Sequence, residues 1–233
     1  MNIFKQLTLN PKTLALLQFI LVYSFIFNPW TSFPYTFIII IISVLIITYW
    51  NDTSLKRIGL QPKTSFLKTI GTGLLLFLLL EPILDFIIQP LVNKLTGEVA
   101  NYSAFKSVAH NFSKFLKYFV FILISAGFGE EILFRGFLFR QFSIILPNFK
   151  FKTAVIIVLS AVLFSIPHLY QGISGLIMTF IFGLIFATVY VKTNYNLWVT
   201  IVLHSLIDSM FITLAYFDKL NYYELANSLF FGY

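Results

Sequence analysis

The chain has 233 residues, 58% of them hydrophobic and 11% charged, and its mean hydropathy is +0.87. A soluble domain carries roughly 25% charged residues, so composition excludes both a soluble enzyme and a soluble domain on a single anchor. The absence of cysteine excludes disulfides and thiolate catalysis. The net charge of +7 sits in short loops between apolar runs, so it reads as a topology signal and not as a nucleic-acid surface.

In chain order, a polar, weakly basic start leads into an apolar run at about Thr13 to Phe27. Asn28, Pro29 and Trp30 close that run where a cleaved leader would show small residues, so a retained first span is expected. The aromatic turn that follows suits a membrane interface. A second span is predicted at about Tyr35 to Trp50, then a polar loop from Asn51 to Ser65. The third is predicted at about Phe66 to Val92, bent or cut short by Pro82 and Pro90. It carries Glu81 and Asp85, four apart and so on one helix face. From Lys94 to Ser113 the helical spacing of Phe105, Val108, Ala109 and Phe112 predicts an interfacial amphipathic helix.

The fourth span, about Phe115 to Gln141, contains SAGFGEEILFRGFLFR. A fifth is predicted at about Phe151 to Ile166, ended by Pro167 and His168. A sixth runs from about Leu176 to Val191 and a seventh from about Leu197 to Phe217. The tail, polar and then apolar through Leu229, Phe230 and Phe231, allows a partial eighth helix. The expected fold is an all-α integral membrane bundle of about seven to eight transmembrane helices. Residues 1–233 form one transmembrane domain with core helices over 115–217. With the N-terminus in the cytoplasm, the inner segments hold Lys5, Lys12, Lys56, Arg57, Lys63, Lys68, Arg140, Lys150, Lys152 and Lys192. The outer ones hold Lys94, Lys106, Lys114, Lys117 and Lys219. The bias favours a multi-pass cell-membrane protein with its N-terminus inside.

Ionisable side chains at membrane depth are costly and mark sites. Three groups stand out. Glu131 and Arg135 are one turn apart, a spacing that lets a guanidinium neutralise a carboxylate in apolar surroundings. Glu130 lies about 100 degrees round the helix, so it is free to face a cavity as a general base. Phe164 and His168 form a second group at the end of a span, where a capping histidine is the plainer reading. His204 and Asp208 share a face of the seventh span and should point inward, with a simple intrahelical hydrogen bond as the lesser reading. Gly127, Gly129 and Gly136 allow close helix approach. His110 is expected at the surface.

Two chemistries fit these groups. Glu130, His168 and His204 offer a zinc-like ligand set with one open position. Alternatively, Glu130 and His168 deprotonate a water without metal, while His204 and Asp208 stabilise an oxyanion. An ionised Asp208 cannot donate, so its simpler task is to orient His204. No HExxH is present. Counting the helical rise inward from the cytoplasmic ends places Glu130 and His204 at similar depth, but His168 too far away for straight vertical helices.

The three groups in this order, Glu130-Glu131…Arg135, Phe164…His168 and His204…Asp208, resemble the EExxxR, FxxxH and HxxxN/D motifs of the CPBP family of intramembrane proteases. That family includes type II CAAX prenyl endopeptidases and bacterial relatives linked to bacteriocin processing or immunity. The resemblance covers about Phe119 to Ile212. It implies Glu130 and His168 as the water-activating pair, His204 and Asp208 as the oxyanion pair, and Glu131, Arg135 and Phe164 as supporting residues. Asp208 departs from the Asn form of the last motif, and no tightly bound zinc is implied. The implied partners are membrane lipid and a peptide or lipidated-protein substrate, with no nucleic acid; oligomeric state is not specified. Two other classes remain: a non-catalytic bacteriocin-immunity or scaffold protein, and a transporter or proton pathway lined by Glu81, Asp85, Glu130 and Asp208.

Overall fold

The computed structural model describes residues 10–231. Lys5, one of the residues on which the expected orientation rests, lies outside them. Every regular element among the described residues is helical. The first helix, α1 (Pro11–Ser24), starts on an Asn10 cap whose side chain accepts from the Lys12 amide, with Pro11 at the first turn, where its missing N–H costs nothing. Helix α2 (Tyr35–Asp52) follows a turn that exposes Trp30, and Trp50 is exposed at its other end. Such paired aromatics mark the two faces of a bilayer. Leu17, Ile20, Leu21, Ile42 and Ile46 are exposed between them. Helices that are apolar all round are what lipid contact requires.

Helix α3 (Phe66–Ile83) does not stop at either proline. It passes through a wide π turn, Leu84–Ile88, into α4 (Gln89–Thr96), so 66–96 is one long apolar helix with its irregular turn between Pro82 and Pro90. The amphipathic helix expected before residue 113 is absent. Ser103–Val108 is a 3₁₀ turn, and the chain breaks at His110, which is exposed with φ 54°. Helix α5 (Phe112–Phe121) begins only beyond that break, capped by Asn111. The apolar spacing there comes from two separate pieces: Val108 is fully buried, while Phe112 is exposed.

The motif-bearing segment continues from α5 through wide π-helical turns at Ile122–Glu130 and Ile132–Phe137 into α6 (Leu138–Ile145). Residues 129–139 are buried without interruption, so this stretch is the axis of the bundle. Helices α7 (Lys152–Ser165) and α8 (Gly172–Lys192) form an antiparallel hairpin through a 3₁₀ turn, Ile166–Gln171. Gly183 lets them touch, because a Cβ there would stand 2.8 Å from the Ala161 Cα. The Glu98 carboxylate accepts from the Ile173 and Ser174 amides, which ties the 97–111 loop to the start of α8. Helix α9 (Leu197–Tyr216) packs between α3 and the motif segment. A Cβ on Gly73 would strike Val202, and one on Gly127 would strike Ser205. Helix α10 (Tyr222–Phe231) closes the chain.

Four stretches are long and apolar enough to cross a membrane: Tyr35–Asp52, Phe66–Thr96, Lys152–Lys192 and Leu197–Tyr216, the third of which is the α7–α8 hairpin. The protein is an all-α integral membrane protein. At one end, Arg140 holds Asp52 through two nitrogens, at 2.5 and 2.7 Å, and Trp198 Nε1 donates to the Leu60 carbonyl at 2.8 Å. At the other end, the Asn101 amide donates to the Gln171 carbonyl at 2.9 Å and that of His110 to Tyr216 at 2.8 Å.

Candidate active site

The motif helix sorts its charges by direction. Glu131 and Arg135 are fully buried and paired at 2.9 Å. The guanidinium also donates to the Gly183 carbonyl at 3.3 Å, and it lies 4.4 Å from the Phe164 ring centroid and 5.1 Å from that of Phe186. Planar charge between aromatic faces, with a carboxylate on one edge, is a favourable way to hold a buried arginine. Glu130 takes no part in this pair. It points into a cavity of about 470 Å³ and is 8% exposed.

His168 reaches the same cavity because of Pro167. Proline has no N–H for the carbonyl four residues back, that of Leu163, and the helix tightens to 3₁₀ winding at Ile166. The Tyr23 hydroxyl donates to the Leu163 carbonyl instead, at 2.9 Å. The Phe164 carbonyl lies 3.0 Å from Nδ1 of His168. A carbonyl only accepts, so Nδ1 carries the hydrogen and Nε2 is left with its lone pair. This contact gives the four-residue Phe164–His168 spacing a physical meaning, and the Phe164 ring adds a contact 5.3 Å from the imidazole.

His204 sits between two carboxylates. Nδ1 is 2.9 Å from Glu131 Oε1, the same oxygen that receives Arg135, and Nε2 is 3.4 Å from Asp208 Oδ2. Phe186 covers the ring at a centroid distance of 4.8 Å. The Glu131 contact is short and sealed. The Asp208 contact is long, and Asp208 keeps 26% of its side chain exposed in the cavity. The Glu131–Arg135 pair therefore also orients His204, a link the sequence spacing does not reveal.

The cavity thus brings together Glu130, His168, His204 and Asp208, with Phe164 in its wall. The cavity lining shows that the depth conflict of the sequence reading does not keep His168 from the other three. The motif helix runs on to Ile145, and Glu130, near the middle of the 112–145 stretch, lines the same cavity as His168 just beyond the end of α7. Both nitrogens of His204 face carboxylates, and among the described residues no three His, Asp or Glu side chains form a cation-holding group.

Sequence reasoning left out three contributors. Phe186 walls both Arg135 and His204, and nothing in its spacing distinguishes it from the other 28 phenylalanines among the 29 in the chain. Tyr102 lines the cavity from the loop before α5. Gln89 lines it as well, and its signal was available: it continues the four-residue step of Glu81 and Asp85 along one face.

No curated protein and no solved structure matches the chain. Residues 112–210 match the family described as type II CAAX prenyl endopeptidase Rce1-like, a stretch that runs from the first residue of α5 to within α9 and contains all three motifs. The match over that segment, with the three motifs inside it, supports membership of the CPBP family.

Proposed function

We propose that the protein is an intramembrane endopeptidase that hydrolyses a peptide bond of a membrane-associated peptide or lipidated protein with water activated by Glu130 and His168. One observation carries this reading: Glu130, His168 and His204, far apart in the chain, line one cavity among apolar helices, while the other glutamate of the motif is sealed against Arg135. In the proposed reaction a water donates one hydrogen bond to the Glu130 carboxylate and one to Nε2 of His168. Its oxygen attacks the carbonyl carbon while Glu130 takes the proton. His204 then supplies an N–H to the oxyanion, which competes successfully with the long Asp208 contact. Glu130 returns the proton to the leaving amine, so peptide and water become acid and amine. Asp208 and Glu131 hold the imidazole in place. No step runs through a metal.

The test is digestion of a hydrophobic peptide library by the purified protein in lipid nanodiscs, read by mass spectrometry, for wild type and Glu130→Gln, each with and without a zinc chelator. Glu130→Gln is expected to insert and melt like wild type and to lose about a hundredfold or more in rate, the usual contribution of a general base. Cleavage by the variant at the wild-type rate would sink the proposal, and inhibition by the chelator would return the zinc reading.

One observation favours a second reading, a proton or cation pathway: Glu81, Asp85, Glu130 and Asp208 all line the same cavity. Cation flux through proteoliposomes that is lost in Glu81→Gln, with no peptide cleaved by wild type, would select it.

A further inference from the structure

The same cavity holds a second group of acids that the proposed hydrolysis does not use. Glu81 and Asp85 are 3% and 4% exposed, and both line the cavity. Neither oxygen of Glu81 has a hydrogen-bond partner, and Asp85 Oδ2 has none. The Tyr222 phenol lies beside Asp85. One turn further on, Gln89 also lines the cavity, with its amide held by Asn93 at 2.8 Å and Ser174 at 3.2 Å. The π turn at Leu84–Ile88 and the two flanking prolines keep this polar stripe facing inward along a helix whose other face meets lipid. Burying carboxyl groups without partners is costly. Proteins that carry such groups at membrane depth pair them with something. Among the described residues no lysine or arginine lines the cavity, and its histidines are held elsewhere, His204 by Glu131 and Asp208 and His168 by the Phe164 carbonyl.

We infer that Glu81 and Asp85 form a subsite for a cationic group of the substrate, the guanidinium or ammonium of an arginine or lysine side chain in an otherwise apolar peptide. Carboxylate oxygens accept and do not donate, which suits a guanidinium fork or an ammonium and disfavours an acidic side chain. The remaining walls are largely aromatic, among them Tyr102, Phe182 and Phe211, and suit the apolar residues on either side. Sharing a cavity with Glu130 and His168, the subsite fixes which bond of a threaded peptide meets the water. The inference rests on the endopeptidase reading for that last step only; the binding of the cation stands without it.

The experiment is therefore a binding measurement first. Fluorescent apolar decapeptides carry a single arginine, or citrulline as its uncharged isostere, at each position in turn. Their affinities are compared by anisotropy for nanodisc-embedded wild type, Glu81→Gln, Asp85→Asn, the double variant and Glu130→Gln. Wild type should prefer arginine over citrulline about tenfold or more at one register, as expected for a charge-assisted contact. The preference should shrink in each single variant, vanish in the double variant and survive in Glu130→Gln. Because the arginine–citrulline comparison on wild type needs no substitution, misfolding of a variant cannot hide the answer. No preference in wild type at any register, or a preference that persists in a well-folded double variant, would overturn the inference. A preference for arginine together with undiminished cleavage by Glu130→Gln would leave the subsite standing and remove the proposed catalyst.

Discussion

Two buried carboxylates, one on the wall of the cavity and one sealed behind it, are built in opposite ways. Glu131 is fully enclosed and answered, by Arg135 at 2.9 Å and by His204 at 2.9 Å on the same oxygen. Glu81 is nearly as buried and unanswered. Burial alone therefore does not tell a structural acid from a functional one; the partner set does. A carboxylate whose counter-charge comes from its own helix, backed by two phenylalanine rings, has its charge answered before any substrate arrives, although Oε2 of Glu131 accepts no hydrogen bond. One with free oxygens on a cavity wall is arranged for something the protein lacks.

The sharpest way to break the contrast is to remove the answer. Arg135→Leu leaves Glu131 charged and enclosed without its guanidinium, beside His204 and Thr200. Losing one partner of a buried pair costs about 3–5 kcal/mol, so the variant should lose most of its folded yield and melt far below wild type in detergent. The double variant Glu131→Leu with Arg135→Leu should recover much of that stability, because an apolar pair replaces an ionic one. It should remain inactive, because nothing then holds Nδ1 of His204. Recovery of both stability and peptide cleavage would show that the pair only locks the bundle.

Much of this arrangement was legible in the residues. Apolar runs locate the spans because lipid leaves the backbone no partner but itself. Glu130 and Glu131 can be expected to diverge because neighbours on a helix point in different directions, and the divergence is present although the segment is wound as a π-helix. Three things were hidden. The apolar positions 105, 108, 109 and 112 match a helical period, but they belong to a 3₁₀ turn and a new helix separated by the left-handed His110. Periodicity cannot register a break that lies between its own points. The reach of His168 to the site depends on the 3₁₀ turn at Pro167 and on how the α7–α8 hairpin packs, and neither is written in the spacing. The placing of Glu81, Asp85 and Gln89 on the same cavity as Glu130 depends on α9 packing between their two helices, for which the local sequence carries no sign beyond the four-residue step.

The opposite substitution should have the opposite sign. Glu81→Leu removes a buried carboxyl with no partner, so it should raise stability, by about 1–3 kcal/mol if the penalty for an unsatisfied polar group is recovered. Thermal melts of wild type and variant in the same detergent read this directly. The gain should come with a loss of arginine preference in peptide binding, the usual exchange between stability and a site. A destabilised Glu81→Leu would mean that the carboxyl already has a partner in the membrane, and the contrast with Glu131 would disappear.

The smallest expected effect concerns how His168 is held in this cavity. Pro167 takes away the N–H that would have met the Leu163 carbonyl, and the Tyr23 hydroxyl from α1 replaces it. Tyr23→Phe keeps the ring and its edge contact with Phe134, so it tests the hydroxyl alone. Loss of one such hydrogen bond should lower stability by about 1 kcal/mol, a shift of a few degrees in a melt. The Phe164 carbonyl still holds Nδ1 in the variant, so cleavage should fall only a few-fold and the arginine preference should not change. A collapse of activity without a matching loss of stability would show that α1 positions the histidine directly, and the site would then extend to a helix that lies outside the matched residues 112–210.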